Sequence, residues 1–122
     1  MRAIIHPSQS PARVEAQRTD CLRQRSVAAK FHYETPRQAE LWLKLHAQYA
    51  PPSDMAAPYE AAAKALADTW PHSDGTLIAL GCGGGEKDLT ILKALPKSTE
   101  FIPTDVSEPL ALKSAEAIPR AK

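Results

Sequence analysis

The chain has 122 residues and a net charge of +1, so its overall charge gives no reason to expect a nucleic-acid partner. It contains no run of 18 apolar residues and no apolar signal core near its start, so we expect a cytoplasmic protein that does not enter a membrane. The two cysteines, Cys21 and Cys82, are far apart and fit a reducing compartment. This length allows one small domain.

The first segment, residues 1–26, is predicted to be a loose arm followed by a surface helix at residues 12–25. Residues 1–30 hold six Lys or Arg against two acids, whereas the rest of the chain holds nine against twelve. We interpret this basic excess as a solvated helix face and not as a nucleic-acid site. Glu15 and Asp20 also argue against an organelle transit peptide, which is poor in acids.

The second segment, residues 27–75, is predicted to be mainly helical. Its first helix begins after Thr35, with Pro36 at the first position and Gln38 completing a capping box. The prolines at positions 51 and 52 are expected to end it. An apolar stripe on this helix is predicted to face the core. The stripe consists of Leu41, Leu45 and Tyr49, with Trp42 beside them.

A second, alanine-rich helix is predicted from about residue 54 to residue 70. Pro58 is expected near its first turn, because proline interrupts a helix interior. Asp74 and Gly75 then mark a turn into the next element.

The third segment, residues 76–122, shows the order strand, glycine turn, helix, strand, helix. A strand is predicted at residues 76–80, and its apolar residues, 77–80, are continuous instead of alternating, as expected for a buried parallel strand. A helix is predicted at residues 86–95 and a second strand at residues 99–104, where Pro103 is expected to end the pairing on its side. Ser107 is predicted to cap a last helix. These elements indicate an α/β fold.

The glycine cluster after the first strand is the strongest functional signal. Gly81, Gly83 and Gly85 follow the strand directly, and glycine permits positive φ and a close approach of a ligand to the backbone. The spacing G-x-G-x-G lacks the last glycine of the dinucleotide fingerprint G-x-G-x-x-G, because Glu86 stands five residues after Gly81, where that glycine would be. A flexible loop without a ligand is the alternative for such a cluster.

Asp105 follows the second strand, 20 residues after Gly85. A carboxylate at this distance suits a ribose hydroxyl at the tip of the neighbouring strand. The alternative is an acid that merely favours the following helix start. On the ribose hypothesis, Asp105→Ala weakens ligand binding and leaves the stability of the ligand-free chain little changed.

Three short stretches resemble the class I methyltransferases that use S-adenosylmethionine. They read L-G-C-G-G-G at 80–85, G-E-K at 85–87 and F-I-P-T-D-V-S at 101–107. Within that class they are similar to the histidine-specific methyltransferases, the family that includes the enzyme trimethylating histidine in ergothioneine biosynthesis. The resemblance extends over about residues 27–118.

The resemblance implies S-adenosylmethionine as cofactor and a small molecule as methyl acceptor. The cofactor-binding residues that it implies are Gly81, Gly83, Gly85, Lys87 and Asp105. In that family two adjacent tyrosines stand before a proline, and one of them binds the substrate. Tyr49 matches the first of them, and Ala50 stands in place of the second. The alternative for Tyr49 is packing in the core. From its spacing alone, Lys87 is interpreted as a solvated helix lysine, and only the resemblance brings the cofactor contact level with that interpretation.

The implied fold is a set of N-terminal helices followed by the first two β–α units of an incomplete Rossmann-like methyltransferase sheet. The chain is therefore expected to be the N-terminal portion of a longer N-methyltransferase for histidine or a related small amine, inactive alone. A methyltransferase for another small molecule and a non-catalytic binding module are the alternatives. No catalytic residue can be assigned, and the four histidines lack the spacing of a metal site. The oligomeric state stays open.

Overall fold

The structure is a computed structural model, and it describes residues 4–49, 52–70 and 74–119. These residues form five α-helices and a two-stranded parallel sheet, which confirms the mixed α/β class. The elements are α1 (Pro11–Gln24), α2 (Pro36–Tyr49), α3 (Pro52–Thr69), β1 (Thr76–Leu80), α4 (Glu86–Ala94), β2 (Glu100–Thr104) and α5 (Glu108–Ala117). None of these helices combines the length and the apolar character needed to cross a membrane.

The predicted caps of α2 and α5 are confirmed. The Gln38 backbone N–H donates to the Thr35 hydroxyl at 3.3 Å, and the Thr35 N–H donates to the Gln38 side-chain oxygen at 3.0 Å. At α5, the Ser107 hydroxyl accepts the Leu110 N–H at 3.4 Å. Each cap satisfies N–H groups that have no partner inside the helix, and so fixes where the helix begins.

The prediction that the apolar stripe of α2 faces the core is wrong. Leu41 is 56% exposed, Leu45 49% and Tyr49 82%. The buried residue of α2 is Ala39, at 4% exposure. Helix α2 packs against α5 and against the connector that precedes α2, while the three larger side chains of the stripe stay exposed.

Helix α3 starts earlier than predicted, and Pro58 lies inside it. The surrounding alanines favour helix strongly enough for the chain to continue past a residue that cannot donate a backbone hydrogen bond. Helix α2 was predicted to end before the prolines at 51 and 52; it is described to Tyr49, and residues 50 and 51 lie outside the described residues. After α3, a Cβ added to Gly75 would lie 2.6 Å from the Trp70 ring, so glycine lets the chain pass under the indole into β1.

The two strands pair in parallel from Thr76 opposite Glu100 to Leu80 opposite Thr104. The Glu100 N–H donates to the Gly75 carbonyl and the Gly81 N–H donates to the Thr104 carbonyl, both at 2.9 Å. The even-numbered residues of β2 therefore bond to β1. Pro103 is odd-numbered, so the position where its N–H group is missing faces the outer edge of β2. The proline therefore does not shorten the pairing with β1.

The core lies on one face of the sheet. Phe101 is fully buried there, together with Leu92 of α4 and Ile118 at the end of α5. The opposite face is bare: Ile78 is 56% exposed and Leu80 87%. The predicted burial of β1 therefore holds for one face only, because the helices that follow β1 and β2 both pack on the same side.

Candidate functional site

The glycine turn is held against the end of β2 by backbone hydrogen bonds. The N–H groups of Gly81 and Cys82 donate to the Thr104 carbonyl at 2.9 and 3.0 Å. Gly81, Gly83 and Gly85 adopt φ angles of +69°, +54° and +83°, a region that favours glycine. A Cβ placed on Gly81 or Gly83 would meet nothing within 4 Å, so these two glycines border open space.

Asp105 links the glycine turn to the start of α5, using one carboxylate oxygen for each. Oδ2 accepts the Gly83 N–H at 3.0 Å and Oδ1 accepts the Ser107 N–H at 2.9 Å. The structure therefore brings Asp105 together with the glycines 22 residues before it. Each oxygen has a second lone pair, so the carboxylate keeps the capacity to accept a ligand hydroxyl.

These two bonds change what is expected of Asp105→Ala. We expect the free energy of unfolding of the ligand-free chain to fall by about 1–3 kcal/mol, because two partly buried N–H groups lose a charged acceptor. Ligand affinity should fall as well. Chemical denaturation without ligand measures the first effect, and Asp105→Asn, which keeps one acceptor oxygen, should lie between wild type and alanine. Unchanged stability would mean that the bonds to Gly83 and Ser107 contribute nothing.

A second carboxylate lies over the turn. The Glu86 carboxylate comes within 3.4 Å of the position that a Gly84 Cβ would take. Asp88, also in the first turn of α4, is half-buried, and this burial raises its pKa to about 6, although the charge of Lys87 lowers it. The entrance to α4 is therefore rich in carboxyl groups. An anionic ligand gains little from the helix dipole here, because these carboxylates oppose it.

Lys87 lies in the same helical turn, but its ammonium group points to α3. Its Nζ atom is 5.5 Å from the centre of the Tyr59 ring. In the described part of the chain it forms no ion pair with Glu86, Asp88 or Asp105. The helix explains this for its two sequence neighbours, because adjacent residues on a helix do not face each other.

The connector before α2 reaches the site, which the sequence did not predict. The buried Ser107 hydroxyl donates to the carbonyl of Tyr33, 74 residues earlier. The Tyr33 ring packs on Trp42 with ring centres 5.7 Å apart, and Leu43 lies 3.3 Å from a Gly84 Cβ position. No local pattern signals contacts of such sequence separation, so a single sequence offered no means of finding them.

Tyr49 lies apart from this chemistry, and Cys82, although it lies within the turn, does not supply a nucleophile. Tyr49, the last residue of α2, is 82% exposed, so the core-packing interpretation is wrong; its role in substrate binding stays a prediction. Cys82 is buried in the turn, and burial raises the pKa of its thiol to about 11. The thiol therefore stays protonated at neutral pH and is a poor nucleophile.

Comparisons of the chain with protein-family models, with curated proteins and with solved structures gave no match.

Proposed function

We propose that this chain binds S-adenosylmethionine at its glycine turn and belongs to a methyltransferase. The observation that carries the proposal is the pair of carboxylates on the turn. Asp105 accepts the Gly83 N–H, and the Glu86 carboxylate lies over Gly84. The pyrophosphate of a dinucleotide would meet both negative charges there, whereas S-adenosylmethionine has a single carboxylate and otherwise brings ribose hydroxyls, a sulfonium and an ammonium group.

The proposed contacts follow from this chemistry. Asp105 accepts hydroxyl hydrogen bonds from the ribose at the tip of β2. The open faces of Gly81 and Gly83 let the cofactor approach the backbone. The order β1, glycine turn, α4, β2, acid supports the finer proposal that the sheet is the start of a Rossmann-like, S-adenosylmethionine-binding unit.

The proposed reaction is direct displacement at the sulfonium methyl group. A nitrogen lone pair of the acceptor forms the new N–C bond, the S–C bond breaks with its electron pair going to sulfur, and the acceptor nitrogen then loses a proton if it carries one. Such a reaction depends on alignment of the two substrates more than on a covalent nucleophile. The proposed acceptor is histidine or a related small amine, and the support is the resemblance of G-E-K at 85–87 and F-I-P-T-D-V-S at 101–107 to the histidine-specific methyltransferases.

Isothermal titration of the chain with S-adenosylmethionine and with NAD tests the proposal. We expect S-adenosylmethionine to bind at least about tenfold more tightly, which corresponds to about 1.4 kcal/mol. The control is Glu86→Gln, which removes a charge that repels pyrophosphate. It should therefore reduce the difference in affinity between S-adenosylmethionine and NAD. Tighter binding of NAD by the wild-type chain would refute the proposal.

A further inference from the structure

The contact between Lys87 and Tyr59 adds a residue of α3 to the proposed site. The Lys87 ammonium lies over the face of the Tyr59 ring, 5.5 Å from its centre, within the range of a cation–π interaction. Tyr59 is partly buried and Lys87 is exposed, so the tyrosine ring is the more fixed partner. Helices α3 and α4 pack extensively against each other, which holds the two residues in register.

This contact leaves the charge of the lysine available. An ion pair with a carboxylate would neutralise Lys87, but within the described residues its nitrogen is within ion-pairing distance of none. An aromatic face attracts a cation through its quadrupole, but the ring has no formal negative charge and so does not neutralise the cation. A lysine at the first turn of a helix is otherwise unfavourable, because the helix dipole repels it. The Tyr59 ring therefore stabilises a cation that remains able to bind an anion.

We propose that Tyr59 is a positioning residue that holds Lys87 for the carboxylate of the bound cofactor. The inference rests on the proposed function, because S-adenosylmethionine has a single anionic group, the carboxylate of its methionine portion. A cation beside the glycine turn then recognises the amino-acid end of the ligand. A ligand with the adenosine and sulfur but without this end gains nothing from Lys87 or from Tyr59.

The test compares two ligands on four chains by isothermal titration. The ligands are S-adenosylhomocysteine, which carries the carboxylate, and 5′-methylthioadenosine, which lacks it. The chains are wild type, Tyr59→Leu, Lys87→Gln and the double variant. We expect Tyr59→Leu to weaken the binding of S-adenosylhomocysteine about 2- to 5-fold, which corresponds to an exposed cation–π contact. The affinity for 5′-methylthioadenosine should not change. The double variant should bind both ligands with the same affinity as Lys87→Gln alone, because the Tyr59 ring acts through the lysine.

Tyr59→Phe is the matched control, since it keeps the ring and should bind both ligands as the wild type does. Equal weakening of both ligands by Tyr59→Leu would overturn the inference and make Tyr59 a packing residue of α3. Selective weakening that adds to that of Lys87→Gln would overturn it as well, since Tyr59 would then act without the lysine. A wild-type chain that binds neither ligand would refute the proposed function itself, and the inference with it.

Discussion

Gly85→Ala should lower the free energy of unfolding by about 2–5 kcal/mol. Two costs combine at this position. The residue has a φ of +83°, which a side chain disfavours by about 1–2 kcal/mol. The added methyl would also lie 2.6 Å from the hydroxyl oxygen of Ser114, which is fully buried in α5. Overpacking of this kind costs about 1–3 kcal/mol, because the surrounding core has no room to give.

Two further variants separate these costs. Gly83→Ala has a similar backbone strain, because Gly83 has a φ of +54°, but its added methyl would meet nothing within 4 Å. Its free energy of unfolding should therefore fall by only about 1–2 kcal/mol. Ser114→Ala added to Gly85→Ala should recover part of the loss, since it removes the closest atom. Denaturant unfolding of the ligand-free chains measures all three. Equal losses at Gly83 and Gly85 would show that the contact with Ser114 does not matter.

Local signals predicted the boundaries of elements well. Residues 76–80 became β1 without a change of limits, and the capping residues Thr35, Gln38 and Ser107 act as their sequence context indicated. These signals depend on hydrogen bonds within a few residues, so the sequence alone contains what is needed. Pro58 is the exception, because the alanine-rich neighbourhood outweighed it.

Burial was predicted poorly, because it depends on partners that a sequence pattern does not name. The apolar run of β1 suited burial on both faces, yet α4 and α5 cover only one. In α2 the pattern selected Leu41 and Leu45, while the small Ala39 is the residue that is buried.

In the candidate site, too, local features were predicted and long-range contacts were not. The glycines and Asp105 were predicted from their spacing, and the structure places them in contact. The positions of Glu86 over Gly84, of Lys87 over Tyr59 and of Ser107 against Tyr33 were not predictable. The contacts of Lys87 and Ser107 depend on how segments distant in sequence pack around the turn, whereas the position of Glu86 depends on the conformation of its own side chain.

The bare face of the sheet is expected to make the chain self-associate. Ile78, Leu80 and Ile102 lie on this face and are 56%, 87% and 38% exposed, and β1 offers an unpaired edge within the described residues. Burying such a side chain is worth about 1.5–3 kcal/mol, so contact between faces of separate chains is favourable. An uncharged edge strand adds a route to association through backbone pairing. Light scattering over a range of protein concentrations should show large assemblies.

The double variant Ile78→Thr with Leu80→Thr should reduce this association strongly and leave the unfolding temperature nearly unchanged. Threonine keeps the strand preference of a branched side chain, and neither replaced residue contributes to the covered core. This variant is then the better background for the ligand titrations and the glycine substitutions described above.

The matched control replaces apolar residues of similar exposure that lie outside the sheet. Leu22→Gln with Val27→Thr changes side chains that are 80% and 64% exposed, at the end of α1 and in the connector after it. This pair should leave association as it is in the wild type, because isolated apolar residues on a surface are ordinary. Equal solubilisation by the two pairs would show that total exposed apolar area matters and the sheet face has no special part. A wild-type chain that stays monomeric and unfolds in one sharp transition would contradict the prediction more directly, because the bare face would then be stable in water.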